Sequence, residues 1–429
     1  MSNKKKEILV YFVTLVMSIV LILGGRTLAL TGDGRTQYDD QYQICRARVV
    51  SVEPAAAHPE VFDGNIYAEG AVLEVFFTAE VTAGEHKGET IHAVQVMEEY
   101  YSTGRKYVEE GDKVLLIEVL DMYGNPQWNW QEYIRTDALL ILGAVLCLGM
   151  IVFGRMKGIN TLVTFAFTCL AIFYVFLPAI SAGKNPYIWS LLTCLYICTI
   201  ALLFVNGASQ KSLVAGISCF AGILASAALM LLMERLLHMT GVHNDESIYL
   251  MLLNPTNPVD LKGLVFAGVI IGASGALMDL SMSITSPLFE MYEQTGGMSA
   301  GELIKSGIHI GRDYLSTMSN TLVLAYIGCD LSLVLLLMAY NTSALEVMNR
   351  EMLIAEILQA LLGIFGILLT VPISSFFCAV TLCGKKRVPV LPETDDDLPR
   401  PMKLQNLSNY DLSFPADRHG LDSRPRQRR

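Results

Sequence analysis

The chain has 429 residues, 52% of them apolar and only 17% charged, with a mean hydropathy of +0.44. Soluble globular chains carry about 25% charge, so the composition excludes an ordinary soluble enzyme, and it also lacks the signatures of disorder, coiled coil, collagen or a disulfide scaffold. The net charge of −10 is concentrated in one stretch, because Arg26 to Arg135 holds 9 Lys and Arg against 19 Asp and Glu. The first predicted element is the apolar run Ile8 to Leu23, close to the roughly 20 residues that a membrane crossing needs. Lys4, Lys5 and Lys6 precede it and predict a cytoplasmic N-terminus. Gly24 to Leu30 lacks a small-x-small cleavage pattern, so residues 1–24 read as an uncleaved signal anchor.

Residues 25–136 differ in character and predict a small extracytoplasmic β-rich domain, barrel- or sandwich-like. Tyr42 to Glu53, Val72 to Val81, Thr90 to Val96 and Val114 to Leu120 alternate or cluster β-branched and aromatic residues, and Gly84, Gly88 and Gly111-Asp112 mark turns. The acidic excess keeps such a domain soluble and could also attract cations or a basic protein partner. Seven further spans are predicted within residues 137–384, at Ala138–Phe153, Thr161–Ile180, Tyr187–Val205, Ser212–Met233, Gly263–Ser286, Thr317–Tyr340 and Leu353–Leu382. The fold expected is therefore an α-helical integral membrane protein of about eight transmembrane helices. Arg155, Lys157, Lys211, Lys305, Arg312 and Lys385 to Arg387 all fall on the cytoplasmic side in this order, which leaves both termini inside. Residues 385–429 are polar and Pro-rich, acidic at Glu393 to Asp397 and basic at Arg424 to Arg429, as expected of a disordered cytoplasmic tail.

Of the 9 cysteines only Cys45 lies in the external domain, so an internal disulfide there is excluded. Cys194 and Cys198 share a helix face, but neither they nor the 7 histidines show zinc-type spacing, and no metal or other cofactor is expected.

The most informative stretch is Phe266 to Glu290. On a helix Gly268, Gly272, Gly275, Asp279, Ser283, Ser286 and Glu290 fall within roughly 80° of arc. The glycines read as helix-packing positions, because small residues let spanning helices approach closely. Asp279 is different: an ionisable group within a span costs at least about 2.5 kcal/mol and persists where it lines a cavity or meets a partner. Ser299-x-x-Glu302 predicts a capping box that opens an amphipathic surface helix through Arg312. In the next span Asp313, Thr317, Asn320, Thr321 and Gly328 share about 100° of arc. If the two polar faces meet, Asp279 and Ser283 lie near Thr317, Asn320 and Thr321. Asp279 and Asp313 are expected at different depths. Arg312 and Glu290 are candidate charge partners, Arg312 being redirected toward the cluster only if the helix breaks at Gly311.

The segments Gly272-Ala-Ser-Gly-Ala-Leu-Met-Asp279-Leu-Ser-Met-Ser283, Ser306-Gly-Ile-His-Ile-Gly-Arg312-Asp313 and Met318-Ser-Asn320-Thr321-Leu-Val-Leu-Ala-Tyr326-Ile-Gly328 resemble the bacterial YibE/F-like family of multi-pass membrane proteins. The resemblance extends over nearly the whole chain before the tail. It implies a permease-type protein of the bacterial cell membrane with no defined substrate, and Asp279, Arg312, Asp313, Asn320 and Thr321 match positions of the family pattern.

Two functions follow. The first is an ion-coupled secondary transporter of an unidentified small solute or ion, with a pathway through Asp279, Ser283, Ser286, Asp313, Thr317, Asn320 and Thr321. The second is a non-transporting scaffold that binds a partner through the external domain. No Walker-type loop, His-Glu-x-x-His helix or Gly-x-Ser-x-Gly elbow is present, so no catalytic residue is assigned; neither is a nucleic-acid partner.

Overall fold

A computed structural model describes residues 3–31, 43–54, 56–62, 65–84, 87–98, 106–120, 124–242, 245–253, 258–329, 331–339 and 343–383. The tail expected from residue 385 and Asp330 lie outside these residues. Helix α1 (Asn3–Ala29) is followed by six strands: β1 (Ile44–Val52), β2 (Ala56–Phe62), β3 (Asn65–Ala83), β4 (Thr90–Glu98), β5 (Lys113–Leu120) and β6 (Pro126–Tyr133). Strand β1 pairs with both β3 and β5, which closes the order β1-β5-β6-β4-β3 into a five-stranded barrel, while β2 only extends the β3 hairpin. All of these pairs are antiparallel except β4 with β6, an arrangement of the Greek-key kind. The expected period-2 pattern is realised in β1, whose Cys45, Ala47 and Val49 point inward to meet Phe77, Val81, Val114 and Leu116. Gln95 is fully buried in β4, where its side chain accepts from the backbone N–H of Val108 and donates to the carbonyl of Lys106, so the turn before β5 is tied to the barrel. Sequence patterning missed β6, because Trp128 and Trp130 alternate with polar residues in a run rich in Asn and Gln.

The remainder is helical: α2 (Thr136–Leu170), a π-helical segment (Ala171–Phe176), α3 (Leu177–Ser181), α4 (Pro186–Asn206), α5 (Gln210–Leu236), α6 (Asp245–Leu253), α7 (Leu261–Gln294), α8 (Ala300–Cys329), α9 (Leu331–Ala339), α10 (Ala344–Met348) and α11 (Glu351–Cys383). Asn185, Ser209 and Asp260 cap α4, α5 and α7 by accepting from backbone N–H groups of the first turn. Among the described residues six helices are long and apolar enough to cross a membrane: Tyr11–Ala29, Thr136–Ser181, Pro186–Asn206, Gln210–Leu236, Leu261–Gln294 and Glu351–Cys383.

Two expected spans take another form. The pair at Ala138–Phe153 and Thr161–Ile180 belongs to one helical run that breaks at Arg155, whose φ of 49° is left-handed. Gly158 is required there, because a Cβ would collide with the backbone carbonyl of Met150. The surface helix expected to end at Arg312 is instead the first half of α8, which continues without a break to Cys329. Its capping box is present as predicted: Ser299 N–H donates to Glu302 Oε2 at 2.9 Å, and Glu302 N–H donates to Ser299 Oγ at 3.3 Å. Gly307 and Gly311 are buried against Ser375 and Val371 of α11, so one side of this stretch packs on α11.

Helix α7 is central and contacts α4, α5, α8 and α11. Its face of Phe266, Ile270, Ala273, Leu277, Ile284 and Leu288 forms the main core with Ile223, Met230, Leu358, Leu362 and Ile367. The close helix approaches are at Gly222 against Thr370, Gly363 against Leu322 and Gly366 against Ser226 and Leu277. Where α5 ends, Glu351 of α11 accepts from the backbone N–H groups of Thr240 (2.7 Å) and Gly241 (2.6 Å) and from the Thr240 hydroxyl (2.8 Å). That carboxylate ties the start of α11 to the end of α5.

Candidate functional site

Each face of α7 has a distinct fate. The face with Leu277 is buried in the core, and the stripe on the other side remains exposed at Gly268, Gly272, Gly275, Asp279 and Glu290, with Ser283 and Ser286 half-buried. A Cβ at Gly268 or Gly275 would meet no atom within 4 Å, so no helix packs on these two positions among the described residues. Gly272 does face a neighbour: a Cβ there would lie 3.3 Å from the hydroxyl of Tyr326 on α8 and 3.9 Å from Nε2 of Gln359 on α11.

These approaches set the register of the helices. Gly272 lies against Tyr326, and Leu288 lies against Gly307, so α7 and α8 run antiparallel and Asp279 is level with about Thr317. Asp313 follows Gly311, which abuts Val371, while Asp279 follows Leu277, which abuts Gly366. Projected on α11, the two carboxylates fall within about one helical turn of each other. Asp279 and Asp313, expected at different depths, thus lie at nearly one level along the bundle. The reason is that α8 is one continuous helix from Ala300, which places Asp313 near its middle and not at its start.

Asp313, Thr317, Asn320 and Thr321 are exposed on α8, as Asp279 is on α7. The Thr321 hydroxyl donates to the Thr317 carbonyl at 2.9 Å, a bond inside the helix. No hydrogen bond joins this set to Asp279 or Ser283 among the described residues; the structure brings the two faces to one level without side-chain contact. Arg312 is exposed on an unbroken helix and forms no ion pair with Asp279 or Glu290 among the described residues.

Sequence reasoning missed the polar groups that α11 contributes. Glu356 and Tyr326 line a cavity of about 250 Å³ between α8, α9 and α11, otherwise walled by Val323, Leu333, Leu353 and Ile364. Gln359 lies one turn from Glu356 and reaches Gly272 and Tyr326. The signal was in the sequence: Glu356 and Gln359 are three residues apart in an apolar helix, which places them on one face. A second cluster joins Cys198 and Cys219, whose sulfurs are 3.4 Å apart, with Cys194 on the same face of α4. These thiols are buried and free, and no group of three His, Cys, Asp or Glu able to hold a metal occurs among the described residues.

A helical bundle with several membrane-length helices, one of them carrying Asp279 halfway along, together with a small β-barrel, defines a multi-helix membrane protein. Residues 142–384, more than half of the chain, match the family described as YibE/F-like protein, and the chain belongs to that family. The match covers the helical body; α1 and the barrel fall outside it, so it is narrower than the resemblance suggested. No curated protein and no solved structure matched the chain.

Proposed function

We propose that the protein is an ion-coupled permease whose eight crossings include α8 and both halves of the run broken at Arg155. The polar pathway follows the exposed faces of α7 and α8. Asp279 carries the proposal, because a carboxylate halfway along a membrane-length helix, without an ion-pair partner among the described residues, is stable only beside water or another protein. Asp313, Thr317 and Asn320 supply oxygen ligands at the same level, a set suited to a proton or small cation. Ser283 and Ser286 extend the α7 face inward, and Glu356, Gln359 and Tyr326 stand at the opposite end, toward the start of α11. The pathway requires a wall that the described residues do not provide, and in this reading a neighbouring chain closes it.

The test is flux through the purified protein in vesicles that enclose a pH indicator, under imposed gradients of sodium, potassium and divalent cations. Wild type should dissipate at least one gradient and Asp279→Asn should not, with equal insertion of both. Absence of flux in wild type, or equal flux in the variant, overturns the proposal. A second reading rests on the same exposure: a small-residue stripe with one acid also suits a helix interface, in which case the protein is a scaffold acting through its barrel.

A further inference from the structure

A second cavity does not involve Asp279. It is a groove of about 620 Å³ between α1, the π-helical segment and α4, within the range of about 300–1,000 Å³ typical of small-molecule sites. Its walls include Leu21, Gly24, Leu28, Val175, Leu192 and Tyr196, with little polar surface. Leu21, Leu28 and Leu192 are each at least half exposed, so the groove opens sideways, toward what would be the bilayer. Water in such a groove would lack the two to four polar partners that hold it, and an acyl chain would not.

The groove has a structural cause. Pro178 lacks the N–H that a regular helix would aim at the carbonyl of Tyr174, and the preceding turn widens into the π form over Ala171–Phe176. The widened turn brings Val175 against Gly25 of α1, where a Cβ would lie 2.9 Å from Val175 Cγ1. Helix α1 therefore approaches the π-helical segment closely here and packs on α4 farther along, where the Tyr11 and Phe204 rings are 5.2 Å apart, and the groove lies beside these contacts.

Two cations stand beside one end of the groove, just outside its lining. Arg26, between the lining residues Gly25 and Leu28, holds its guanidinium 3.7 Å from the centre of the Tyr174 ring. Lys184, in the turn before α4, donates from Nζ to the Thr31 carbonyl beyond the end of α1. Among the described residues neither cation pairs with a carboxylate. Trp189 lines the same end, and an indole there suits the level of lipid headgroups.

We propose that this groove is a binding site for one anionic phospholipid, with an acyl chain lying between α1 and α4 and the phosphate held by Arg26 and Lys184. The lipid fills the gap between the helix that leads into the barrel and the helical body, and so fixes α1 in place. This site is independent of any flux through Asp279.

The experiment uses the full-length protein in nanodiscs of equal phosphatidylglycerol and phosphatidylcholine, followed by detergent exchange and mass spectrometry of the lipid retained. Wild type should keep phosphatidylglycerol in preference. Each of Arg26→Gln and Lys184→Gln should lower that preference about fivefold, from about 1 kcal/mol per basic residue. Gly24→Phe places a ring in the groove at a position whose Cβ would meet nothing within 4 Å, and it should abolish retention. Leu192→Trp fills the groove from the α4 side and should do the same should Gly24→Phe fail to fold. Equal retention of both lipids by wild type, undiminished preference in the two charge variants, or full retention in a folded groove-filling variant overturns the proposal.

Discussion

At the scale of residues, the chain separates glycines that permit close approach from glycines that do not. A side chain at Gly311 would collide with Val371, so Gly311→Val should destabilise the bundle by about 1–3 kcal/mol, read as a lower melting temperature in detergent. Gly275→Ala should leave the isolated chain unchanged or gain up to about 1 kcal/mol in helix propensity, because nothing lies within 4 Å of its Cβ. If the same variant loses stability only in the assembled membrane form, a neighbouring chain packs on that face. Asp279 belongs to this scale too: replacement by Asn removes the charge and keeps the shape, so loss of flux without loss of folding would assign the effect to the carboxylate. Both the stripe and Asp279 were legible in the sequence, because charge is scarce in this chain and period 3.6 is easily read.

At the scale of elements, the continuity of α8 matters most. Residues 299–312 look amphipathic because one side packs on α11 through Gly307 and Gly311 and the other is polar, a pattern that a surface helix shares. Periodicity reports that a helix has two faces and not what covers them. The capping box was read correctly because it is local, and Ser299→Ala should cost about 1 kcal/mol of α8 stability. In the barrel, burial on β1 pushes the Cys45 thiol above its ordinary value, with the Glu118 carboxylate adding to the effect. Folding therefore favours the protonated thiol. This contribution to barrel stability is full below the unfolded thiol value of about 8.5 and is lost as pH rises through the higher folded value. Alkylation of Cys45 at pH 8 should be far slower in the native barrel than in urea; equal rates would show that the barrel does not shield it.

At the scale of the whole molecule, the barrel and the helical body are joined by the short connection from β6 to α2 and by Lys113, whose Nζ lies 2.5 Å from Asp137 Oδ2 at the start of α2. The family match begins at residue 142, after the barrel has ended. If the helical body is the working unit, replacing residues 43–133 with a short linker should preserve flux through Asp279 in vesicles. Loss of all activity with an intact helical body would favour the scaffold reading. Glu351 holds Thr240 and Gly241 where α5 ends and α11 begins, and Glu351→Ala should cost about 1–3 kcal/mol by removing the carboxylate that accepts from those N–H groups, measured as thermal stability.

The sequence by itself determined the kind of protein this is: apolar runs of membrane length, an acidic β-rich stretch between the first two, and one helix bearing Asp279 among glycines. These are properties of composition and spacing, which a chain carries before it folds. Only the tertiary structure decided which glycines touch, that Asp279 and Asp313 share a level, that Glu356 and Gln359 join the polar set, and that a π turn before Pro178 opens a groove beside α1. Those depend on the register between helices, and register is set by ridges and small residues meeting across the bundle. No segment holds that information alone.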